Sequence, residues 1–451
     1  MNAATPASRT AAPLLAPGVR PREVVAWAMY DFANSGYTTV VITAVFNAYF
    51  VAVVAGDAPW ATLAWTATLA VSYAAVMITG PVIGAYADQR AAKKRLLVAT
   101  TLGCVVFTAA LALVAPGGLV LACVLVALSN FFFSTGENLI AAFLPELARS
   151  NALGKVSGWG WGLGYIGGLA SLGASLAYVT TAQARGETSA AFVPMTMLIT
   201  ATIFLAASLP TLIWLKERAV PQDLPGEGFA RAALARVWDT ARHAATFSDL
   251  ARFLACLVCY QAGVQAVVAL AAIYAQQAMG FTTKDTITLI LAVNVTAALG
   301  AVAFGQVQDR LGHLRTIALT LAGWIATVVV AWWATDRATF WVAANLAGLC
   351  LGASQSAGRA LVGYLSPRDR HAEFFGLWGL AVKFSSILGP LTYGLTSWLS
   401  RGDHRLAMLI TGVYFVAGLA VLATIDVRRG RREALRAGRA ARQAARASAA
   451  T

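Results

Sequence analysis

The sequence predicts an all-α polytopic membrane protein with twelve transmembrane helices arranged as two related six-helix bundles. The chain of 451 residues is 59% hydrophobic and only 12% charged, whereas soluble domains carry about 25% charged residues. Twelve apolar runs are long enough to cross a bilayer, which takes about 20 residues each. Motifs at the ends of four of these runs recur at a nearly constant offset, and such self-similarity indicates an internal repeat.

The predicted spans divide six and six around a polar central segment. We predict a first bundle over 23–215 and a second over 250–426, with a disordered N-terminal segment over 1–22, a central loop over 216–249 and a basic tail over 427–451. Residues 229–246 of the loop have the pattern of a basic amphipathic helix. The predicted spans are 24–54, 62–86, 96–115, 118–143, 156–180, 192–215, 250–279, 285–307, 315–334, 338–365, 374–400 and 405–426.

Basic residues are distributed unevenly between the two sides of the predicted bundles. The formal net charge is +14, yet the loops opposite the termini carry only Arg185, Lys284, Arg337, Arg401 and Arg405. Lysine and arginine concentrate in cytosolic loops, so we predict a plasma (inner) membrane protein with both termini in the cytosol. The arginine-rich tail is expected to attract anionic lipid headgroups, and nucleic acid is not an expected partner.

A loop motif recurs after the second and the eighth predicted spans. The copies are Gly84-x-x-x-Asp88-x-Arg90 and Gly305-x-x-x-Asp309-Arg310-x-Gly312. Glycine permits close helix approach, and an acidic side chain is favoured near a helix N-terminus. The motif resembles the signature of the major facilitator superfamily, which implies that fold and a transport function. We predict gating roles for Asp88, Arg90, Asp309 and Arg310.

The fourth and the tenth spans carry opposite charges at equivalent positions of the repeat. Gly136-Glu137 precedes Pro145, and Gly358-Arg359 precedes Pro367 at the same spacing. The superfamily resemblance implies that the cytosolic halves of these spans converge when the transporter faces outward. We therefore hypothesise that Glu137 and Arg359 form a gate. The alternatives are that Arg359 binds substrate and Glu137 a proton, or that each charge has a purely structural partner elsewhere.

Further stretches narrow the resemblance to one family. They include Tyr30-Asp31-x-Ala33-Asn34-Ser35-x-Tyr37, the run A-F-L-P-E-L over 142–147, Ser354-Gln355-x-x-x-Arg359 and Glu373-Phe374-Phe375-Gly376. Together they resemble the vacuole-effluxer-like family of the superfamily, here a bacterial-type member. The eukaryotic namesake of that family is an autophagy-linked vacuolar effluxer of amino acids.

Four ionisable residues lie within predicted spans: Asp31, Glu137, Arg359 and Lys383. Each costs about 2.5–3.5 kcal/mol on insertion scales, so each is expected to face protein or water and is a candidate functional residue. We predict a proton or cation site at Asp31, unless Lys383 pairs with it. We predict that Lys383 binds the anionic end of a substrate. The alternative is that the four charges only neutralise one another during folding.

Uncharged polar residues are predicted to line a cavity between the bundles. The superfamily resemblance implies that the first, fourth, seventh and tenth spans supply most of its walls. Gln261 and Gln265 share one helix face because they are four residues apart. The alternative role for any single amide is a hydrogen bond between helices. The candidate binding residues of this type are Asn34, Tyr37, Asn138, Gln261, Gln265 and Gln355.

These observations predict a secondary active transporter that moves a small polar or zwitterionic solute, an amino acid or small peptide, by alternating access. Efflux, coupling to a proton or cation, contact with membrane lipids and a monomeric state are the accompanying expectations. The alternatives are a lipid or multidrug exporter on the same fold, and a non-transporting membrane scaffold or sensor. No nucleotide-binding loop or metal-ligand cluster supports an enzyme, so we expect neither a cofactor nor a metal.

Overall fold

The computed structural model describes residues 14–149, 153–218, 235, 242, 247–366 and 371–448. Over these residues the chain is helical, apart from connecting turns and one isolated β-bridge. Ten helices in this part of the chain are long and apolar enough to cross a membrane. Two further long helices of 29 residues each, Arg337–Leu365 and His371–Leu399, complete the predicted twelve.

We number the long helices in chain order, and α1 to α12 match the twelve predicted spans to within a few residues. A one-turn helix, Leu144–Leu147, follows the fourth of them. The bounds are α1 (Pro21–Val54), α2 (Ala61–Arg90), α3 (Lys93–Ala110), α4 (Leu119–Ala141), α5 (Leu153–Ala184), α6 (Ser189–Trp214), α7 (Ser248–Gln277), α8 (Thr283–Leu311), α9 (His313–Trp333), α10 (Arg337–Leu365), α11 (His371–Leu399), α12 (His404–Leu422) and α13 (Val427–Ser448).

The same helix pairs pack in the two halves of the molecule. In the first half α1 packs on α5 and α6, and α4 packs on α2 and α3. In the second half α7 packs on α11 and α12, and α10 packs on α8 and α9. Across the interface between the halves, α2 packs on α11 and α8 packs on α5. These two pairs are equivalent, because α8 and α5 are the counterparts of α2 and α11 in the opposite halves. The fold is therefore two pseudo-symmetric six-helix bundles, as predicted.

Close helix crossings recur at equivalent glycines of the two halves. Gly167 of α5 lies against the main chain of Phe32 in α1, and Gly389 of α11 lies against the main chain of Ala262 in α7. A Cβ atom on either glycine would overlap main-chain atoms of the neighbouring helix. Small residues at such positions allow helix backbones to approach closely, which favours helix association in lipid.

The second half of α1 is irregular and joins the two bundles. It contains two π-helical stretches, Thr38–Ala44 and Phe50–Val54. Between them Asn47, which is fully buried, donates through Nδ2 to the carbonyl of Ala269 in α7 at 3.1 Å. Near the ends of the same helices Gln277 donates to the carboxylate of Asp57. These contacts close the interface on the side away from the chain termini.

We call the opposite side, which carries both termini, the terminal side. Here carboxylates connect the loops of the first half. Glu146 accepts the Lys93 ammonium at 3.1 Å and the Arg218 amide at 2.8 Å. Glu217 accepts the amides of Lys93 at 2.7 Å and Lys94 at 3.1 Å, at the start of α3. Negative charge is favourable at a helix N-terminus, so these contacts hold the segment after α6 against α3.

The segments outside the twelve spans differ in part from the structure predicted for them. Residues 14–20, which the composition assigns to a disordered segment over 1–22, are ordered because the loop after α4 offers main-chain partners. The Ala16 amide donates to the carbonyl of Leu147 at 3.0 Å, and the Arg149 side chain donates to the carbonyl of Leu15 at 3.1 Å. The amphipathic helix predicted over 229–246 lies almost entirely outside the described residues.

The predicted basic tail forms α13, and its first turns are docked on the second half. Arg429 makes two hydrogen bonds of 2.7 Å to Asp249, a fully buried carboxylate at the start of α7. This pairing raises the pKa of the Arg429 guanidinium above its usual range. Arg431 lies over the ring of Tyr364 in α10, at 4.7 Å from its centroid, and donates to its carbonyl. A Cβ atom on Gly430 would lie 2.9 Å from Cδ2 of Leu365, so a larger residue would require the Leu365 side chain to shift.

Replacing Gly389 tests the close crossing of α7 and α11. Gly389→Ala is expected to destabilise the protein by about 1–3 kcal/mol, because the added methyl group must push the two helices apart. Gly379→Ala on the same helix is the matched control, since no heavy atom of the described residues lies within 4 Å of its Cβ position. Thermal unfolding of the two purified variants in detergent measures the difference. Equal midpoints would contradict the crossing.

Candidate functional site

An ion pair crosses the interface between the two halves. The Nζ of Lys383 in α11 donates to the Oε2 of Glu137 in α4 at 2.7 Å. The same ammonium lies 5.4 Å from the ring centroid of Tyr73 in α2. The Lys383 side chain is 16% exposed and the Glu137 side chain 43% exposed, so the ammonium is the more enclosed partner. One half therefore supplies the cation and the other supplies both groups that contact it.

This pairing answers one question that the sequence leaves open, the identity of the Lys383 partner, and leaves the proposed gate untested. The carboxylate within ion-pair distance of Lys383 is that of Glu137, and the alternative pairing of Lys383 with Asp31 is not found among the described side chains. Arg359, the hypothesised gate partner of Glu137, has its main chain in α10. The Arg359 side chain lies outside the described part of the structure. The Glu137–Arg359 gate therefore stays a prediction.

Asp31 lies on the face of α1 that packs against α5. Its Oδ2 atom lies beside Gly160, where any larger residue would overlap the carboxyl group. The ring of Trp27 flanks the same glycine, and the Trp27 indole donates to the carbonyl of Ile140 at 2.9 Å. The Asp31 side chain is half-buried. Glycine in α5 thus provides the space for a carboxyl group within the first half.

The positions of Glu137 and Arg359 are supported in the same way in both halves. The hydroxyl of Tyr30 in α1 lies against Gly136, and the hydroxyl of Tyr260 in α7 lies against Gly358. Both tyrosines are fully buried. In each half, the residue before the ionisable position is therefore a glycine, and a tyrosine hydroxyl of the neighbouring helix packs against that glycine. This arrangement places the main chains of Glu137 and Arg359 equivalently in the repeat.

The structure brings two of the predicted amides of the second half together. Gln261 in α7 donates through Nε2 to Oε1 of Gln355 in α10 at 3.1 Å. The Oε1 atom of Gln261 is buried and has no hydrogen-bond partner among the described residues. Gln265 lies one turn further along and is half-buried. Because buried polar atoms are normally paired, the free carbonyl of Gln261 can accept a hydrogen bond from a ligand or from water.

The first half contains similar unpaired groups. Asn34 is 6% exposed, and neither polar atom of its amide has a partner among the described residues. Asn130 donates to Ser72 of α2 at 3.0 Å, while its own Oδ1 is unpaired in the same sense. The Oγ of Ser134 is also buried without a described partner. Buried polar atoms of α1 and α4 therefore lack hydrogen-bond partners among the described residues and can bind a ligand or water.

Two other candidates have simpler surroundings. Tyr37 is fully buried, with its hydroxyl 2.9 Å from the Oγ of Ser129 and its ring stacked on Phe133 at 4.6 Å. Packing between α1 and α4 accounts for this residue. Asn138 is exposed, and its Nδ2 atom lies near Gly80 of α2. The binding roles of both residues stay predictions.

The predicted gating residues lie at the ends of α2 and α8 on the terminal side. Arg90 is the last residue of α2 and is exposed. Asp88 in α2, and Asp309 and Arg310 in α8, have helical main chains, but their side chains lie outside the described part of the structure. Their gating roles are untested.

Sequence reasoning missed Tyr73, which contacts the Lys383 ammonium. A tyrosine within an apolar span is ordinary, and nothing in the run V-S-Y-A-A-V around it indicates a charged neighbour. Lys383 is distant in sequence, so only the packing of α2 against α11 brings the two residues together. The weak signal available was the presence of Lys383 itself, because a cation within a span requires partners.

The architecture is that of a major facilitator superfamily transporter, and solved structures of that class resemble it. The nucleoside transporter NupG superposes with a TM-score of 0.66 at 13% identity, covering 90% of this chain and 98% of NupG. The xylose transporter XylE of E. coli, in an inward-open conformation, gives a TM-score of 0.63 at 13% identity, covering 89% of this chain and 95% of XylE. At this identity the likeness shows the fold alone.

A family model described as vacuole effluxer Atg22 like matches residues 62–435, so the chain belongs to the vacuole effluxer Atg22-like family. The MFS-type transporter YxiO of Bacillus subtilis is 26% identical over 405 residues, which are 88% of this chain and 94% of YxiO. Autophagy-related protein 22 of Yarrowia lipolytica is 26% identical over 345 residues, 69% of this chain and 57% of that protein. The chain thus spans about half the length of the fungal relative. The predicted family is confirmed, and the protein is a transporter, not an enzyme.

Replacing Lys383 with an uncharged residue tests which carboxylate pairs with the Lys383 ammonium. Lys383→Met should lower stability by about 1–2 kcal/mol, less than for a fully buried pair, because solvent partly screens the Glu137 carboxylate. The double variant Glu137→Gln/Lys383→Met should recover part of the loss, since no carboxylate is then left unpaired. Thermal unfolding in detergent provides the measurement.

Asp31→Asn/Lys383→Met is the control for that double variant. It should be no more stable than Lys383→Met alone. Recovery with Asp31→Asn but not with Glu137→Gln would show that Asp31 is the counter-ion of Lys383 in the membrane.

Proposed function

We propose that the protein is a secondary active transporter of a small zwitterionic solute, an amino acid or small peptide, that works by alternating access. The observation that carries the proposal is the Glu137–Lys383 pair, which presents both signs of charge at the interface between the halves. A zwitterion can pair with both groups, whereas a lipid tail or an apolar drug gains nothing from them. The Asn34 amide and the Oε1 atom of Gln261, which have no hydrogen-bond partners among the described residues, add hydrogen-bonding groups for a polar solute.

Two features support alternating access. Asn47 and Gln277 hold the halves together away from the terminal side. On the terminal side Glu137 is 43% exposed, although it lies one helical turn inside the end of α4. We assign this arrangement, with the halves joined on one side and a partly exposed carboxylate towards the other, to one end state of the cycle. The excess of basic residues supports a cytosolic location for the terminal side, and with that orientation the end state is inward-facing.

The proposed direction of transport and the proposed substrate class are supported by different observations. The effluxer description of the family supports export of the solute. The fold does not select a substrate, because the structural neighbours are named as a nucleoside transporter and a xylose transporter. The zwitterion assignment therefore depends on the charged and amide groups of this chain. The similarity to a transporter of Bacillus subtilis supports the plasma membrane as the location.

A thermal-shift panel on the purified protein tests the substrate class. A ligand that binds only the folded state raises its stability by an amount set by the ratio of ligand concentration to Kd. We expect stabilisation by one or more proteinogenic amino acids or dipeptides, and none by nucleosides or tetraphenylphosphonium. Counterflow of the stabilising solute in proteoliposomes then establishes transport. Stabilisation by tetraphenylphosphonium alone, undiminished in Lys383→Ala, would instead favour a multidrug exporter.

Two acid-to-amide variants test proton coupling. Glu137 pairs across the interface, so its environment changes when the halves move, whereas the Asp31 carboxyl packs within one half. A carboxyl group can take up and release a proton, whereas an amide cannot. We expect Glu137→Gln to abolish uphill transport driven by a pH gradient while counterflow persists. Asp31→Asn should do the same if its carboxyl also carries a coupling proton, and uphill transport by both variants would exclude proton coupling at these acids.

A further inference from the structure

The ammonium group of Lys383 occupies a site built by the first half of the molecule. It meets the Glu137 carboxylate at 2.7 Å and lies 5.4 Å from the Tyr73 ring centroid. A carboxylate supplies a charge-assisted hydrogen bond, and an aromatic ring attracts a cation through its electron-rich face. This combination is suited to any primary ammonium ion, whether or not it belongs to a lysine.

Both groups that form the site belong to the first half of the molecule, whereas Lys383 belongs to the second. Glu137 is in α4 and Tyr73 is in α2, and these helices pack directly against each other within one half. The Asn130–Ser72 hydrogen bond of 3.0 Å fixes their separation, and Ser72 is the neighbour of Tyr73 in the chain. Lys383, by contrast, enters from α11 of the other half on a flexible four-carbon stem. Its ammonium can leave while the carboxylate and the ring stay in place.

We infer that Glu137 and Tyr73 form the ammonium subsite of the transporter, and that Lys383 occupies it as a tethered stand-in when no solute is bound. The inference rests on the proposed transport of zwitterions, and it assigns a binding partner to each charged end of the solute. The solute ammonium displaces Lys383 from Glu137 and Tyr73, and the released Lys383 pairs with the solute carboxylate. No covalent bond is made or broken.

This exchange restricts which solutes are carried. In the empty carrier the two charges neutralise each other, and with a zwitterion bound both are again paired. A simple amine would occupy the subsite but leave Lys383 without a counter-ion, and an unpaired buried charge is strongly unfavourable. Amines without a carboxylate should therefore compete poorly with Lys383 for the subsite and should not be transported.

Chemical complementation tests the subsite directly. Lys383→Ala deletes a fragment equivalent to n-propylammonium, so this ion should fill the vacated subsite. We expect n-propylammonium chloride to raise the thermal midpoint of Lys383→Ala, and 1-propanol, its uncharged analogue, to have no effect. Wild type should not respond at the same concentration, because its own lysine competes.

Variants in the Lys383→Ala background identify the partners of the ion. Adding Glu137→Gln should weaken n-propylammonium binding by about tenfold or more, which corresponds to the loss of one charged hydrogen bond. Adding Tyr73→Leu should weaken binding several-fold, whereas Tyr73→Phe retains the ring and should bind as Lys383→Ala does. Lys383→Gln provides a second background should Lys383→Ala fold poorly.

The outcomes separate this inference from the proposed function. Absence of an n-propylammonium shift in both backgrounds, or a shift that Glu137→Gln leaves unchanged, overturns the subsite. Glu137-dependent binding in a protein that transports no zwitterion would support the subsite and reject the proposed substrate class. Zwitterion transport without such binding would reject the subsite alone.

Discussion

An ammonium group within a membrane protein requires a counter-charge, and for Lys383 that charge comes from the other half of the molecule. Lys383 and Glu137 pair across the interface between the bundles. Whether these two charges are buried and neutralised therefore depends on the position of one bundle relative to the other. A pair within one bundle would survive their movement unchanged. A pair between bundles is instead sensitive to it, which is the physical requirement for coupling solute binding to a conformational change.

The remainder of each half serves to hold these charged positions steady. Glycines at equivalent sites let α1 and α5, and likewise α7 and α11, approach to main-chain contact. Buried tyrosines seated on Gly136 and Gly358 fix the stretches of α4 and α10 that carry the ionisable residues. Within each bundle the helices are close-packed, while the interface between the bundles relies on fewer helix pairs.

Hydropathy and the internal repeat were sufficient to predict twelve helices in two related bundles. Bilayers demand such regular helices because main-chain groups in lipid have no other hydrogen-bond partners. The partner of Glu137 could not be predicted, since Lys383 is 246 residues away in sequence and the contact depends on the rotation and depth of both helices. Tyr73 was missed for the same reason. Residues 14–20 contain Pro17 and Gly18 and follow an alanine-rich stretch, yet they are ordered by main-chain contacts that no local pattern reveals.

The docking of α13 has a practical meaning for anyone handling this protein. Asp249 is fully buried at the start of α7, and its ionic partner Arg429 is supplied from beyond the last membrane-spanning helix. A chain truncated directly after α12 would leave that carboxylate without its main counter-charge. The arginine-rich segment, which in a sequence scan looks dispensable, is thus a structural component of the second bundle, and an affinity tag belongs after Ser448 rather than in place of the tail.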